Sequence, residues 1–404
     1  MKKRAYGLGL CLALAMPSAQ AANQEIRALF QPDPMQPGKN LFVNTTPNGG
    51  YCAAFPGPCA DKNMFSIELP VRYKSNRAIR AGDDVAVRAP TGWRRLTVTN
   101  QDTQETEVVE LRITGIGSNF FLSDPVDTLT GVAAPTGHDI LWTSQSGWLY
   151  APPPCQGSGL AGYTPRSYRF FWHTPVEGAC TKTAAFNIPS MDYDKIDFAY
   201  ELKTPNPLGM SSGLYTGSID YTMGPGGDFD MGAMMDADDN GLTLNFVLDV
   251  QHVLKVDLPP GGNKVMLEPE GGWQSWINSG RKPTQIFRDQ LFYLYASTRF
   301  KVKMMCDRVA SGGDCKLHGP DGDYARVSVA ITLPNGITDI NGNPVSRYPL
   351  MIDYWNTFQP GLYVDRKAAS LNFIMYKYAV DQLLTPGKHG TYSGDITIIW
   401  DSEV

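Results

Sequence analysis

The sequence predicts an all-β protein built as two β-sandwiches in tandem, and three observations predict it. Glycine (40), proline (30) and tyrosine (19) are abundant while charged residues make up only 19%, a composition that suits strands and turns better than helices. Short alternating runs rich in β-branched residues recur along the chain, bordered by Gly, Pro, Asn or Asp. A short motif also occurs twice, once late in each half. With 404 residues, the chain exceeds what one core usually organises, so two domains are expected.

The first element is a leader. Lys2, Lys3 and Arg4 precede an apolar stretch at 8–16, and Ala19-Gln20-Ala21 reads as a small-residue cleavage site. Residues 1–21 are therefore expected to be a secretory signal peptide, too short to remain as a membrane span. Cys11 sits inside the apolar stretch behind Leu10, a poor context for a lipid anchor. Removing the leader takes away three positive charges and moves the formal charge from −5 to −8. A mildly acidic chain without basic runs excludes nucleic acid as a natural partner.

Strands are expected at 65–69, 84–87, 106–114, 242–250, 299–305 and 326–333. Asp321-Gly322, Asn335-Gly336 and Asn341-Gly342 are tight-turn signals, and no long helix is expected. Residues 22–39 contain Pro32, Pro34 and Pro37 and show little alternation, so that stretch reads as a poor strand to donate to another chain. Beyond the leader the cysteines are Cys52, Cys59, Cys155, Cys180, Cys306 and Cys315. Export favours disulfides. Six cysteines can pair in many ways, and sequence alone does not choose among them. Closeness in sequence makes 52–59, 155–180 and 306–315 the economical expectation. Zinc is disfavoured because C-x-x-C spacing is absent.

The repeat is Gly213-Leu214-Tyr215-Thr216-Gly217-Ser218-Ile219-Asp220-Tyr221, which returns as Gly390-Thr391-Tyr392-Ser393-Gly394-Asp395-Ile396-Thr397-Ile398. Two related late strands suggest two immunoglobulin-like sandwiches of similar design. After the first copy come a Gly/Asp-rich loop (224–241) and a strong strand (242–250). After the second copy the chain runs through Ile399 and Trp400 to Val404 with no further strand. The expectation is a domain at 22–250 that is complete and a domain at 251–404 that lacks its final strand. A sandwich missing a strand exposes a groove and an unpaired edge, which a strand from another chain can fill.

The second half resembles a known family. Leu267-Glu268-Pro269-Glu270-Gly271-Gly272-Trp273, then Ser297-Thr298-Arg299-Phe300-Lys301-Val302, then Cys306, Cys315 and the closing repeat are similar to the class 5 fimbrial tip family, which includes tip adhesins and cable-pilus minor pilins. The resemblance implies an N-terminal adhesin domain and a C-terminal pilin domain completed by a donor strand. It implies a periplasmic chaperone, an outer-membrane usher and a major pilin subunit as partners, a host-surface receptor that includes glycans among its candidates, and a place at the pilus tip. By position, Tyr392, Ile396, Ile398 and Val404 would form the strand and terminus that meet the chaperone or next subunit. In known members, arginines after a late adhesin strand form a receptor pocket. Here 223–231 is rich in Gly, Asp and Met and has no arginine, so no receptor residue carries over.

Several residues invite sharper readings. Trp93, Arg94 and Arg95 mix an aromatic face with cations, a combination that can bind sugars or anions, and they are the receptor candidates. Arg169, Trp172 and His173 form a similar mixture, with strand packing as the plainer reading. Trp273 and Trp276 could make a sugar platform, although core packing suits them better. Asp236, Asp238, Asn240 and Gly241 imitate the start of a calcium loop, but Val247 stands where its bidentate glutamate belongs; an acidic turn explains them. The histidines (138, 173, 252, 318 and 389) lack metal spacing, and no nucleophile elbow or phosphate loop is present. No cofactor and no enzymatic activity are expected. A secreted carbohydrate-binding protein or a glycan hydrolase remains the alternative, since carboxylate pairs are spatial.

Overall fold

The computed structural model describes residues 22–61, 64–310 and 312–402; the leader expected at 1–21 and Val404 lie outside the described residues. The architecture is all-β. Buried residues gather into two large clusters, one drawn from 26–250 and the other from 286–380.

In the first half the main strands are β1 (Ala22–Phe30), β2 (Arg94–Asn100), β3 (Thr106–Leu122), β4 (Ser167–His173), β5 (Ile196–Lys203), β6 (Gly213–Thr222) and β7 (Gly241–Val250). They share one large sheet in which β3, β2, β6, β7 and β1 are successive neighbours. β3 is 17 residues long and changes partners as it goes, pairing with β2 at its start, β5 in the middle and β4 toward its end. Gly115 and Gly117 permit this: an added Cβ would meet the Phe171 ring at 2.6 Å in either case. Close approach of neighbouring layers is a usual reason for glycine within a strand.

The second half contains β8 (Leu254–Asp257), β9 (Ile286–Ala296), β10 (Phe300–Cys306), β11 (Tyr324–Thr332), β12 (Trp355–Pro360), β13 (Val364–Met375) and β14 (Ile396–Ser402), with an eight-residue helix α1 (Gly272–Ser279). One sheet runs β8, β9, β13, β11 and then Cys315–His318; the other runs Ile337–Asp339, β12, β10 and β14. Phe292, Leu294, Val329, Ile331 and Phe373 from the first sheet meet Phe300, Val302, Met304 and Phe358 from the second to make the core. The turn glycines Gly322, Gly336 and Gly342 all have positive φ, the conformation that glycine supplies at least cost.

The disulfides join Cys52 to Cys59, Cys155 to Cys180 and Cys306 to Cys315. The first holds residues 50–61 against the sheet, where Tyr51 stacks on Phe171 at 4.1 Å. Among the described residues no helix is long and apolar enough to cross a membrane.

Three expectations need correction. The stretch after the leader does alternate: Ala22–Phe30 is a strand that pairs along its length, parallel to β7. Ile26, Ala28 and Phe30 alternate into the core, and the prolines that argued against a strand all fall after its end. The acidic segment at 236–241 is more than a turn. Met235–Ala237 pairs with Tyr73–Ser75, because Asp236 accepts from the Asn76 side chain at 3.0 Å and Asp238 from the Arg72 backbone N–H at 2.9 Å. Core packing holds for Trp273 only in part and not for Trp276: Trp273 lies half-buried against the core of the second half, and α1 has no fully buried residue.

The halves meet at His252. Its Nε2–H donates to the Met210 carbonyl at 2.9 Å, and its Nδ1 lies 3.0 Å from Ser297 Oγ. Ser297 Oγ also accepts the Val253 N–H at 2.9 Å and can donate its own hydrogen to Nδ1 when the ring is neutral. The edge of the ring packs on Phe30 at 5.5 Å. Burial lowers the pKa of this histidine. A histidine held neutral stabilises fully above its unfolded value, roughly 6.5, and that stabilisation is lost as pH falls below it toward and through the folded value. The expected outcome is a junction that loosens in mild acid. Small-angle scattering of the chain broadens between about pH 7 and pH 5, and the His252→Gln variant shows a smaller change over the same range.

Candidate functional site

The two copies of the repeat make the same set of contacts in the two halves. In the first half, Tyr215 donates its hydroxyl to Glu105 Oε2 at 2.6 Å, and Glu105 also accepts the Ser211 N–H at 3.0 Å. In the second half, Tyr392 donates to Asp323 Oδ2 at 2.6 Å, and Lys388 pairs with the same oxygen at 2.7 Å. Glu105 and Asp323 each stand one residue before the second strand of a hairpin, β3 in one case and β11 in the other. Thr216 pairs with Thr99, and Ser393 forms a bridge with His318. An added Cβ on Gly217 would meet the Thr97 carbonyl at 2.4 Å, and on Gly394 the Lys316 carbonyl at 3.0 Å. In each half the tyrosine bolts the late strand to a hairpin turn, and the glycine lets the strand lie close to the hairpin.

The electrostatics differ. Burial alone would raise Glu105, but the hydrogen bonds from Tyr215 and Ser211 prevail and lower it. Asp323 is held down to about 2, first by Lys388 and then by Tyr392. Both acceptors are therefore carboxylates at neutral pH, so the tyrosine is the donor in each pair.

What lies on the other side of the repeat sets the halves apart. β6 is flanked by β7 over its whole length, antiparallel, and β1 then pairs parallel to β7. The inward residues of β7, namely Leu242, Leu244, Phe246, Leu248 and Val250, are at most 1% exposed. Phe246 lies opposite Gly217, the glycine leaving room for the large ring. β14 pairs with β10 on one side, Phe300 opposite Ser402 through Cys306 opposite Ile396. Among the described residues no strand pairs with its other side. The second copy is accordingly a strand only from Ile396 onward, and 390–394 keeps a single bridge, whereas a strand over 390–398 was expected.

Apolar side chains mark the open side. Ile396, Ile398 and Trp400 point toward the core and remain half-buried; so do Leu254 and Val256 of β8 and, further along, Val265 and Leu267. Where the 388–392 segment faces 265–267, a groove of about 530 Å³ is lined by Val265, Leu267, Ile286, Leu317, Leu384 and Tyr392, among others. The site is a backbone edge with unpaired ladder positions above a row of half-covered apolar residues. Chemically it can take one more strand, with main-chain hydrogen bonds to β14 and alternate side chains in the groove.

Of the residues singled out by sequence, Tyr392, Ile396 and Ile398 fall together on this edge. Leu267, which lines the same groove as Tyr392, opens the first stretch of the family resemblance, while Val265 carried no comparable signal. Trp93, Arg94 and Arg95 lie elsewhere and are engaged internally. Lys203 and Arg112 stand over the Trp93 ring at 3.9 and 4.7 Å, Arg94 pairs with Asp228 and covers Tyr221, and Arg95 pairs with Glu110 at 2.7 Å. Trp172 is buried and donates to the Trp148 carbonyl, while Arg169 reaches Asp197 at 3.5 Å. Burial raises Asp197 to about 6, a value useful in a catalytic acid. At 1% exposure beneath Gly50, however, it is closed to any substrate. Among the described residues no three His, Cys, Asp or Glu gather as cation ligands.

No family model matches the chain, and no curated protein matches it. Fourteen chains of solved structures match it. One is from a chaperone–tip adhesin complex of CFA/I fimbriae biogenesis, at 8% identity over 96% of this chain and 98% of that one, TM-score 0.28. Another is CfaE, the adhesive subunit of the CFA/I fimbria of enterotoxigenic Escherichia coli, at 9% over 95% and 94%, TM-score 0.24. A third comes from the CsuC–CsuE chaperone–tip subunit complex of Acinetobacter baumannii, at 8% over 94% and 98%, TM-score 0.22. At these TM-scores the likeness carries no weight for the partners or activity of this chain.

The shared tyrosine bolt gives a graded expectation. Tyr215→Phe removes one of the two hydrogen bonds to a partly buried carboxylate and costs about 1 kcal/mol in chemical denaturation. Tyr392→Phe costs less, because Asp323 keeps Lys388 and solvent. Likewise Gly217→Ala drives a Cβ into backbone and costs about 2–3 kcal/mol, more than Gly394→Ala.

Proposed function

We propose that the chain is an exported, tip-located subunit of a chaperone–usher pilus, with an adhesin-like domain at 22–250 and a pilin domain at 251–404 that accepts a strand from another subunit. The observation that carries this reading is the unpaired side of β14, at the place where β7 closes the first half. An uncovered edge over a half-exposed core is an aggregation hazard for a lone protein and a connection point for a polymer part. Residues 22–30 support the terminal position. They are built into the sheet of their own half and are not free to be lent to a neighbour. A chaperone that covers the edge during export, an usher and a major pilin that later supplies the strand are the partners this reading requires. The receptor is a host-surface group, with glycans among the candidates.

β7 also serves as a template for the occupant. A strand that copied it would run antiparallel to β14 and place a bulky residue opposite Gly394, as Phe246 lies opposite Gly217. The test is to express the chain for export with a copy of residues 241–250 fused behind Val404 through a short turn, alongside a control shifted by one residue. A one-residue slip turns every apolar side chain outward. The in-register fusion is expected to be monomeric and to raise the melting temperature of the second half by about 4–8 °C, the effect of roughly 2 kcal/mol net. Equal stability of the fusion, the shifted control and the unmodified chain would refute the reading and favour a free carbohydrate-binding protein or hydrolase.

A further inference from the structure

We propose that α1 is a hinged flap over the end of the strand-accepting groove, with Trp273 occupying the space that an incoming strand takes over. This inference rests on the reading of β14 as an acceptor edge. Three observations and one physical argument carry it.

The helix is weakly held. It has eight residues and none is buried, although two are tryptophans and Ile277 is 70% exposed. Within the helix, Trp273 alone packs against the core of the second half, and it does so half-buried. Stability in a short helix comes from packing rather than from propensity, so one anchoring side chain is a small attachment.

Its ends are built to turn. Gly271 and Gly272 have φ of +74° and +77°, and Gly280 has φ of +68°. An added Cβ on Gly272 or Gly280 meets nothing within 4 Å, so these glycines are not there to avoid a clash. They supply the left-handed conformations that let the chain enter and leave the helix sharply. No side chain caps the N-terminus. Small residues at element ends commonly absorb the dihedral change of a moving lid.

The anchor sits in the groove. Trp273 lines the same cavity as Leu267, Ile286, Leu384 and Tyr392, at the end bounded by the repeat. The neighbouring Met266 is 73% exposed, so this part of the wall is apolar and only partly covered.

Filling that end is also what the architecture needs. An apolar edge left bare invites pairing with any exposed strand. A large ring on a hinge covers part of the groove and gives way to a better-fitting side chain. The closed population then lowers the apparent affinity for an occupant by the fraction of open chains, so removing the ring raises the rate of capture.

The experiment uses the full chain without its leader and a synthetic peptide of residues 241–250 as the probe. Peptide association is followed by fluorescence polarisation for the wild type and for Trp273→Ala, with Trp276→Ala as a control on the same helix. Hydrogen exchange at 270–280 is recorded with and without peptide. The flap predicts several-fold faster association for Trp273→Ala, wild-type rates for Trp276→Ala, and faster exchange at 270–280 once the peptide is bound. Unchanged or slower association for a folded Trp273→Ala chain, or exchange at 270–280 that does not respond to peptide, overturns it. If the peptide binds none of the three proteins, the acceptor-edge reading itself fails, and the flap fails with it. If it binds all three alike, only the flap fails.

Discussion

The open side of β14 is the constraint on which the rest of this structure depends. A backbone edge in water is satisfied, but here it lies above Ile396, Ile398 and Trp400, which face a core without being fully covered. Closing the edge improves both backbone and apolar terms together, and no described segment of the chain does so. In the first half the same position is filled by β7, whose five inward side chains are sealed. The two halves thus act as an internal control: the same late strand, bolted by tyrosine to the same kind of hairpin turn, once with its neighbour and once without.

Part of this was legible in the residues. Alternation located the strands at 242–250, 299–305 and 326–333 to within a residue or two, because each has one face in a core and the period of two survives. The repeat was legible because its tyrosine and glycine make contacts that tolerate little change. What those contacts touch was not legible. Glu105 lies 110 positions from Tyr215 and Asp323 lies 69 from Tyr392, and nothing local to either carboxylate marks it as a partner. The strand at Ala22–Phe30 was missed because nearby prolines outweighed the alternation of Ile26, Ala28 and Phe30, although every proline lies beyond the strand.

The aromatic–cation mixtures illustrate a different limit. Trp93, Arg94 and Arg95 have the chemistry of a recognition site, yet the fold sets Glu110, Asp228, Lys203 and Arg112 around them. The partners come from strands far off in sequence, so composition could not distinguish a surface network from a pocket. The reverse holds for α1. Its two tryptophans suggested a core, yet only Trp273 packs against one, half-buried, and Trp276 does not. His252 adds a third case: a histidine without metal spacing proves to join the two halves through Met210 and Ser297.

The central claim is that β14 is an edge waiting for a strand, and backbone hydrogen exchange at 396–402 addresses it most directly. An open edge gives an alternating pattern in the chain alone, with amides facing β10 protected and those facing away exchanging like a loop. Adding an in-register strand should protect both sets. Uniform protection of all these amides in the chain alone would contradict it, since that would mean the edge is already closed.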